Sequence, residues 1–137
     1  MHLTLHFVGE VPREQLDDIA IGFAVEVEPF ELVLRHHALW SNGIAALEPT
    51  ITPSGLISLH ARLGDATTRL GLPVEQRRYR PHVTLAREAG GSTHPREMTF
   101  LKWRADRYAL VESLPDGAYE LLTTYRSATI ETDERKR

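Results

Sequence analysis

The chain has 137 residues, 42% hydrophobic and 26% charged, which fits one globular domain with a modest core. A formal net charge of −3 excludes a global positive field for long duplex nucleic acid, so any nucleic-acid ligand must be small or gripped locally. The absence of cysteine excludes disulfides, thiolate nucleophiles and thiolate-zinc sites and suits a reducing cytoplasm. No apolar run approaches membrane-spanning length, and the N-terminus carries no signal-peptide pattern.

In chain order, His2 to Val8 predicts a strand, with His2, Thr4 and His6 on one face and Leu3, Leu5 and Phe7 on the other. Gly9 to Pro12 ends it. Pro12 then suits a first helical turn, and Leu16, Ile19, Ala20 and Phe23 recur at helical spacing. Glu31 to Arg35 and Ile44 to Leu47 read as strands, and Pro49 to Gly55 reads as a loop. Leu56, Leu59, Leu63, Ala66 and Leu70 form one apolar stripe, with start signals at Pro53 and Ser54 and stop signals at Gly71 and Pro73. A strand is expected from His82 to about Ala86, and a polar loop from Glu88 to Arg96. Three strands follow, around Phe100 to Trp103, Tyr108 to Ser113 and Tyr119 to Tyr125, the last two joined by the turn Leu114-Pro115-Asp116-Gly117. A charged, apolar-poor tail from Ala128 is expected to be disordered, leaving residues 1–127 as one domain. Short connections favour antiparallel sheets, so the class is α+β, with each motif strand near one amphipathic helix.

The feature that carries chemistry is a repeated tetrapeptide, His2-Leu3-Thr4-Leu5 and His82-Val83-Thr84-Leu85. Alternation puts His and Thr of each copy on one face. Two such strands brought face to face put two imidazoles and two hydroxyls around one small volume. Histidine gives and takes protons near neutrality, so one ring can activate a water while the other protonates a departing oxygen. Thr4 and Thr84 can donate hydrogen bonds to non-bridging phosphoryl oxygens. Neither role calls for a metal or a cofactor. Taken singly, a strand histidine is more often structural, and the shared threonine and aliphatic residues are what reverse that balance. His6, His36, His37, His60 and His94 lack this context and read as structural or exposed. Arg77, Arg78, Arg80 and Arg87 form the densest positive cluster and suit a phosphate, although a charge run is more often a solvated surface. Arg87 is the strongest of the four, provided the strand ends or bulges near Ala86 and so turns it toward His82.

Both tetrapeptides resemble the paired His-x-Thr motifs of the 2H phosphoesterase superfamily. The text around them, His2 to Val11 and Tyr79 to Arg87, is similar to its RNA 2′,3′-cyclic phosphodiesterase branch, also called 2′-5′ RNA ligase. Leu110 to Ser113 with Pro115, Asp116, Gly117 and Tyr119 resembles that branch's closing hairpin. The resemblance implies a bilobal α+β fold, two antiparallel sheets flanking a central cleft with helices outside. It implies metal-independent opening of 2′,3′-cyclic phosphate RNA ends to 2′-phosphates, with 2′-5′ ligation as the reverse of related chemistry. His2 and His82 would be the acid–base pair, the first usually the acid and the second the base. Thr4, Thr84 and Arg87 would hold the phosphate. The implied partners are RNA ends or small cyclic nucleotides, met by a cytoplasmic monomer with no membrane and no extended duplex. Family members usually carry a strand and a helix before the first motif. The expectation is therefore an N-terminally truncated domain with an unpaired edge beside His2 and an exposed apolar face at Leu3, Leu5 and Phe7. Two other readings stay open: a non-catalytic RNA-end binder, and a 2′,5′-oligonucleotide or nucleotide-cyclic phosphodiesterase on the same scaffold.

Overall fold

A computed structural model of the chain describes residues 2–86 and 100–127. After a 3₁₀ turn at Arg13–Gln15, the first helix, α1, runs Leu16–Gly22, and two strands follow, β1 (Phe30–Leu39) and β2 (Ala45–Pro49). The second helix, α2, spans Ser54–Arg69; β3 (Val83–Ala86), β4 (Leu101–Ala105), β5 (Arg107–Ser113) and β6 (Tyr119–Arg126) complete the order. Among the described residues all strand pairings are antiparallel. Four strands form one sheet in the order β3-β2-β1-β4, and β5 and β6 form a two-stranded second sheet. The α+β class and the two sheets are as expected, but the halves are unequal. The chain passes between sheets at the single residue Asp106, whose carbonyl accepts the Ser127 N–H at 3.0 Å.

The periodic signals are realised closely. The stripe on α2 buries Leu56, Leu59, Leu63 and Ala66, and Gly71 follows the helix at φ +75°, a left-handed stop that suits glycine. Thr67, also buried, turns its hydroxyl to the Leu63 carbonyl at 2.7 Å, which satisfies that buried hydroxyl within the helix. Gly117, at φ +86°, makes the expected turn between β5 and β6, closed by the Leu114 N–H donating to the Ala118 carbonyl at 2.8 Å.

Two apolar clusters hold the fold. Leu32, Leu34, Leu47, Leu56 and Val83 pack on one face of the four-stranded sheet. Ile19, Phe23, Val27, Leu59, Leu63, Ala66 and Tyr108 join α1, α2 and β5. The α2 stripe contributes to both, and so do Leu5 and Phe30, which pack against each cluster. The first motif segment therefore crosses the seam between the lobes. Tyr108 ties β5 to the end of α1: its hydroxyl accepts the Val25 N–H at 2.8 Å and donates to the Phe23 carbonyl at 2.7 Å.

At the start of α2, a Cβ built on Gly55 would lie 2.9 Å from the Phe30 Cβ and 3.3 Å from the Glu28 carbonyl. Neither neighbour is the free end of a flexible side chain. Gly55→Ala should overpack this junction and cost about 1–3 kcal/mol despite alanine's better helix propensity, read as a lowered urea midpoint. A midpoint at or above wild type would show that the junction can relax.

Residues 2–8 depart from the expected strand. They make one isolated antiparallel bridge, Leu3 to Val83, and otherwise lie outside the ladders. The alternation survives at Leu3 and Leu5, which are half-buried against the core, and then fails: Phe7 is 75% exposed and His6 is half-buried. With one bridge and no neighbour on its other side among the described residues, this segment is placed by side chains instead of by a ladder. The loop expected from Glu88 and the tail expected from Ala128 lie outside the described residues.

Candidate active site

The Leu3–Val83 bridge fixes how the two tetrapeptides meet. In an antiparallel bridge the residues one step either side pair crosswise, so His2 lies opposite Thr84 and Thr4 opposite His82. Leu3 and Val83 pack together in the sheet cluster, Val83 with no exposure, so the other four side chains share the opposite face. They are exposed or half-buried there. The imidazoles sit on one diagonal of this square and the hydroxyls on the other, and such diagonal neighbours are roughly 7–8 Å apart. The register thus sets the two tetrapeptides side by side.

His82 is held from two sides. Its Nδ1–H donates to the Arg80 carbonyl at 2.9 Å, which leaves Nε2 with a lone pair in the neutral ring. Its ring packs against Trp40 at 4.3 Å, and the Arg80 guanidinium lies over that indole at 4.3 Å. Glu48 holds the same guanidinium. Trp40 escaped the sequence reading: it falls just after β1, in the turn before β2, and nothing local connects it to His82, forty-two positions on. His2 has a different neighbour, Tyr119 at the head of β6, whose ring meets it edge-on at 4.9 Å.

A column of three rings substitutes for the missing ladder. His6 stacks on His60 at 4.1 Å, and His60 stacks on Tyr79 at 3.8 Å. The His6 Nε2–H donates to the His60 carbonyl at 2.8 Å, and the Tyr79 hydroxyl donates to the Thr4 carbonyl at 2.8 Å. The column joins the first motif, α2 and the residue three before His82. Burial pushes the Tyr79 phenol well above its ordinary value, so it remains a donor. His6 and His60 are structural, as expected; Tyr79 was read only as part of the motif text.

Burial, and then the charge of His6, hold His60 at about 4, below the ordinary 6.5. Between those values the unfolded chain binds a proton that the folded chain refuses. Stability from this group is therefore complete above pH 6.5 and is lost as pH falls toward 4. Because His60 is half-exposed, solvent tempers the effect. The thermal midpoint should fall between pH 7 and 4.5, and His60→Phe, which keeps a ring in the column, should fall less. Equal slopes in the two proteins would remove His60 from the acid response.

The arginine cluster divides. Arg77 pairs with Glu75 and Arg80 with Glu48, whereas Arg78 makes no ion pair among the described residues. Arg87 lies outside them. Within the described part of β3, the ladder pairs Ala46 with Thr84 and Ala45 with Ala86, a one-residue slip at Leu85. A cleft of about 350 Å³ is lined by Thr4 and His82 together with Phe7, Trp40, Asn42, His60 and Arg78. A second, of about 370 Å³ along Glu48, Thr52 and residues 78–81, touches none of the four motif residues, so the smaller cleft is the candidate site. No helix among the described residues is long and apolar enough to cross a membrane.

Comparison with known proteins gives a consistent result. Residues 1–116 match the model of the 2′-5′ RNA ligase superfamily. The RNA 2′,3′-cyclic phosphodiesterase of Escherichia coli (strain K12) is 31% identical over 97 residues, covering 65% of this chain and 52% of that protein. The protein of the same name from Methanocaldococcus jannaschii is 27% identical over 89 residues, covering 64% and 50%. The chain thus spans about half the length of these relatives. Among solved structures, E. coli LigT complexed with 3′-AMP superposes with a TM-score of 0.81 at 26% identity, over 93% of this chain and 76% of that one. The TT0787 protein of Thermus thermophilus gives 0.68 at 26% identity, over 91% and 76%. The fold, the doubled motif and a family match over most of the length agree: this chain belongs to the 2′-5′ RNA ligase superfamily, the 2H phosphoesterases.

Proposed function

We propose that the chain hydrolyses 2′,3′-cyclic phosphodiester RNA ends to 2′-phosphates, using His2 and His82 as an acid–base pair. The observation that carries this reading is the antiparallel Leu3–Val83 bridge, which sets the two His-x-Thr tetrapeptides side by side. The names of the relatives and the 3′-AMP complex of LigT support a nucleotide substrate.

In the proposed reaction water attacks phosphorus in line with the 3′-oxygen. His82 Nε2 takes the proton from water, a role supported by the Nδ1–H bond to Arg80, which leaves Nε2 as the basic nitrogen. His2 gives a proton to the departing 3′-oxygen, and the phosphate stays on the 2′-oxygen. Thr4 and Thr84, on the other diagonal, donate to the non-bridging oxygens as negative charge builds on them. With a 5′-hydroxyl in place of water, the same groups would form a 2′-5′ linkage. Arg87 is proposed as a further phosphate ligand on the strength of its position five residues after His82.

Incubation with a 2′,3′-cyclic nucleotide should yield the 2′-phosphate at a rate unaffected by chelator. Its pH profile should be bell-shaped, with two limbs belonging to the histidine pair together. A 3′-phosphate product would place the leaving oxygen on the wrong side. Loss of turnover on chelation would overturn the metal-independent mechanism.

A further inference from the structure

The cleft lined by Thr4 and His82 continues along Phe7, Asn42 and Arg78. Two side chains on its walls have no structural employment. Phe7 is 75% exposed, although the alternation of its segment gives it the inward register. Its ring therefore stands on the cleft wall with a face open to a ligand. Arg78 is exposed and makes no ion pair or hydrogen bond among the described residues, while its neighbours Arg77 and Arg80 are each held by a glutamate. An open aromatic face and an uncommitted guanidinium along one groove are the two elements with which proteins hold single-stranded nucleic acid. The ring stacks on a base and the cation takes the backbone.

We propose that this part of the cleft is a subsite for the nucleotide preceding the cyclic end. Phe7 stacks on the penultimate base, and Arg78 pairs with the phosphodiester that joins it to the terminal nucleoside. The inference rests on the cyclic phosphodiesterase reading and narrows it, making the substrate an oligonucleotide end, with a cyclic mononucleotide as a poorer, truncated version. Trp40 is not available for the stacking role, because Arg80 lies over its ring and the His82 ring packs against it at 4.3 Å.

The test compares a cyclic mononucleotide with a short oligonucleotide ending in the same 2′,3′-cyclic nucleotide, in wild type, Phe7→Ala and Arg78→Ala. Both positions are exposed, and circular dichroism checks that both variants fold. On the oligonucleotide each variant should raise KM about tenfold with kcat kept, the size of one lost stacking or phosphate contact. The salt dependence of that KM should slacken in Arg78→Ala, because one backbone contact is gone. On the mononucleotide both variants should match wild type. Equal losses on the two substrates, or no loss on either, would overturn the subsite. A wild-type chain that hydrolyses neither substrate would defeat the activity reading separately. Titration with the same oligonucleotide carrying a 2′-phosphate end then decides the subsite: weaker binding in both variants upholds it, and unchanged binding removes it.

Discussion

His82→Ala is expected to lower kcat on a 2′,3′-cyclic nucleotide by about a hundred- to ten-thousand-fold, the usual worth of one positioned general acid or base. The substitution also empties the space beside Trp40 and frees the Arg80 carbonyl. A stability check must therefore accompany the kinetics. His82→Gln is the better partner variant, since its amide can still donate toward that carbonyl but cannot take a proton at neutral pH. His2→Ala should cost a similar factor. The profile of each single variant should lose one limb of its bell: the basic limb without the acid, the acidic limb without the base. That difference assigns the two roles, which the register leaves symmetric and only the His82 tautomer separates. His36→Ala serves as the control: exposed and paired with Glu48 at 3.8 Å, it should leave kcat within a small factor of wild type. Comparable losses at His2, His82 and His36 would mean that the substitutions act through folding.

Leu47→Ala carries the largest expected stability loss. Leu47 has no exposure, pairs with Val83 on one side and His37 on the other, and belongs to the cluster beneath the second motif. Removing a fully buried leucine side chain costs about 2–5 kcal/mol, the lost transfer energy plus a cavity that its neighbours fill only partly. Domains of this kind are stable by only about 5–15 kcal/mol, so this single change takes a large share. The urea midpoint should drop with an unchanged slope. Leu121→Ala is the matched control, because Leu121 is 62% exposed and its truncation should stay within about 0.5 kcal/mol. A Leu47→Ala midpoint no lower than that control would mean the sheet cluster contributes far less than its burial implies. Activity below the lowered midpoint should persist, because Val83 still presents His82 and Thr84 from the same strand.

Much of the fold was legible because it is written in short periods. The α2 stripe of Leu56, Leu59, Leu63 and Ala66 faces the core as its spacing requires, and Leu32 and Leu34 face it from β1. The turn before β6 follows from Pro115, Asp116 and Gly117, since Gly117 takes a positive φ. Phe7 is exposed, as expected beside an unpaired edge, whereas Leu3 and Leu5 are half-buried against the core, and residues 2–8 make one isolated bridge among the described residues. Once the chain leaves Leu5, nothing obliges the next odd position to point inward.

The contacts that shape the site were not legible. Trp40 meets His82 although the ladder sets the turn before β2 beside the end of β3, and no local pattern encodes that contact. The His6–His60–Tyr79 column draws one ring from each of three separate segments. Each ring looked ordinary in its own neighbourhood. The uncommitted state of Arg78 is visible only against the glutamates that occupy Arg77 and Arg80.

The residue list settles the chemical inventory: two His-x-Thr copies, each with aliphatic residues that force its polar pair to one face. It settles the family too, since those copies and their surroundings are matched along most of the length. Folding supplies the pairing of Leu3 with Val83, the ring column that holds Thr4, and the indole beside His82. Side-chain alternation is a property of neighbours along the backbone, whereas the distance between residues 2 and 82 depends on how two apolar clusters close around Leu5.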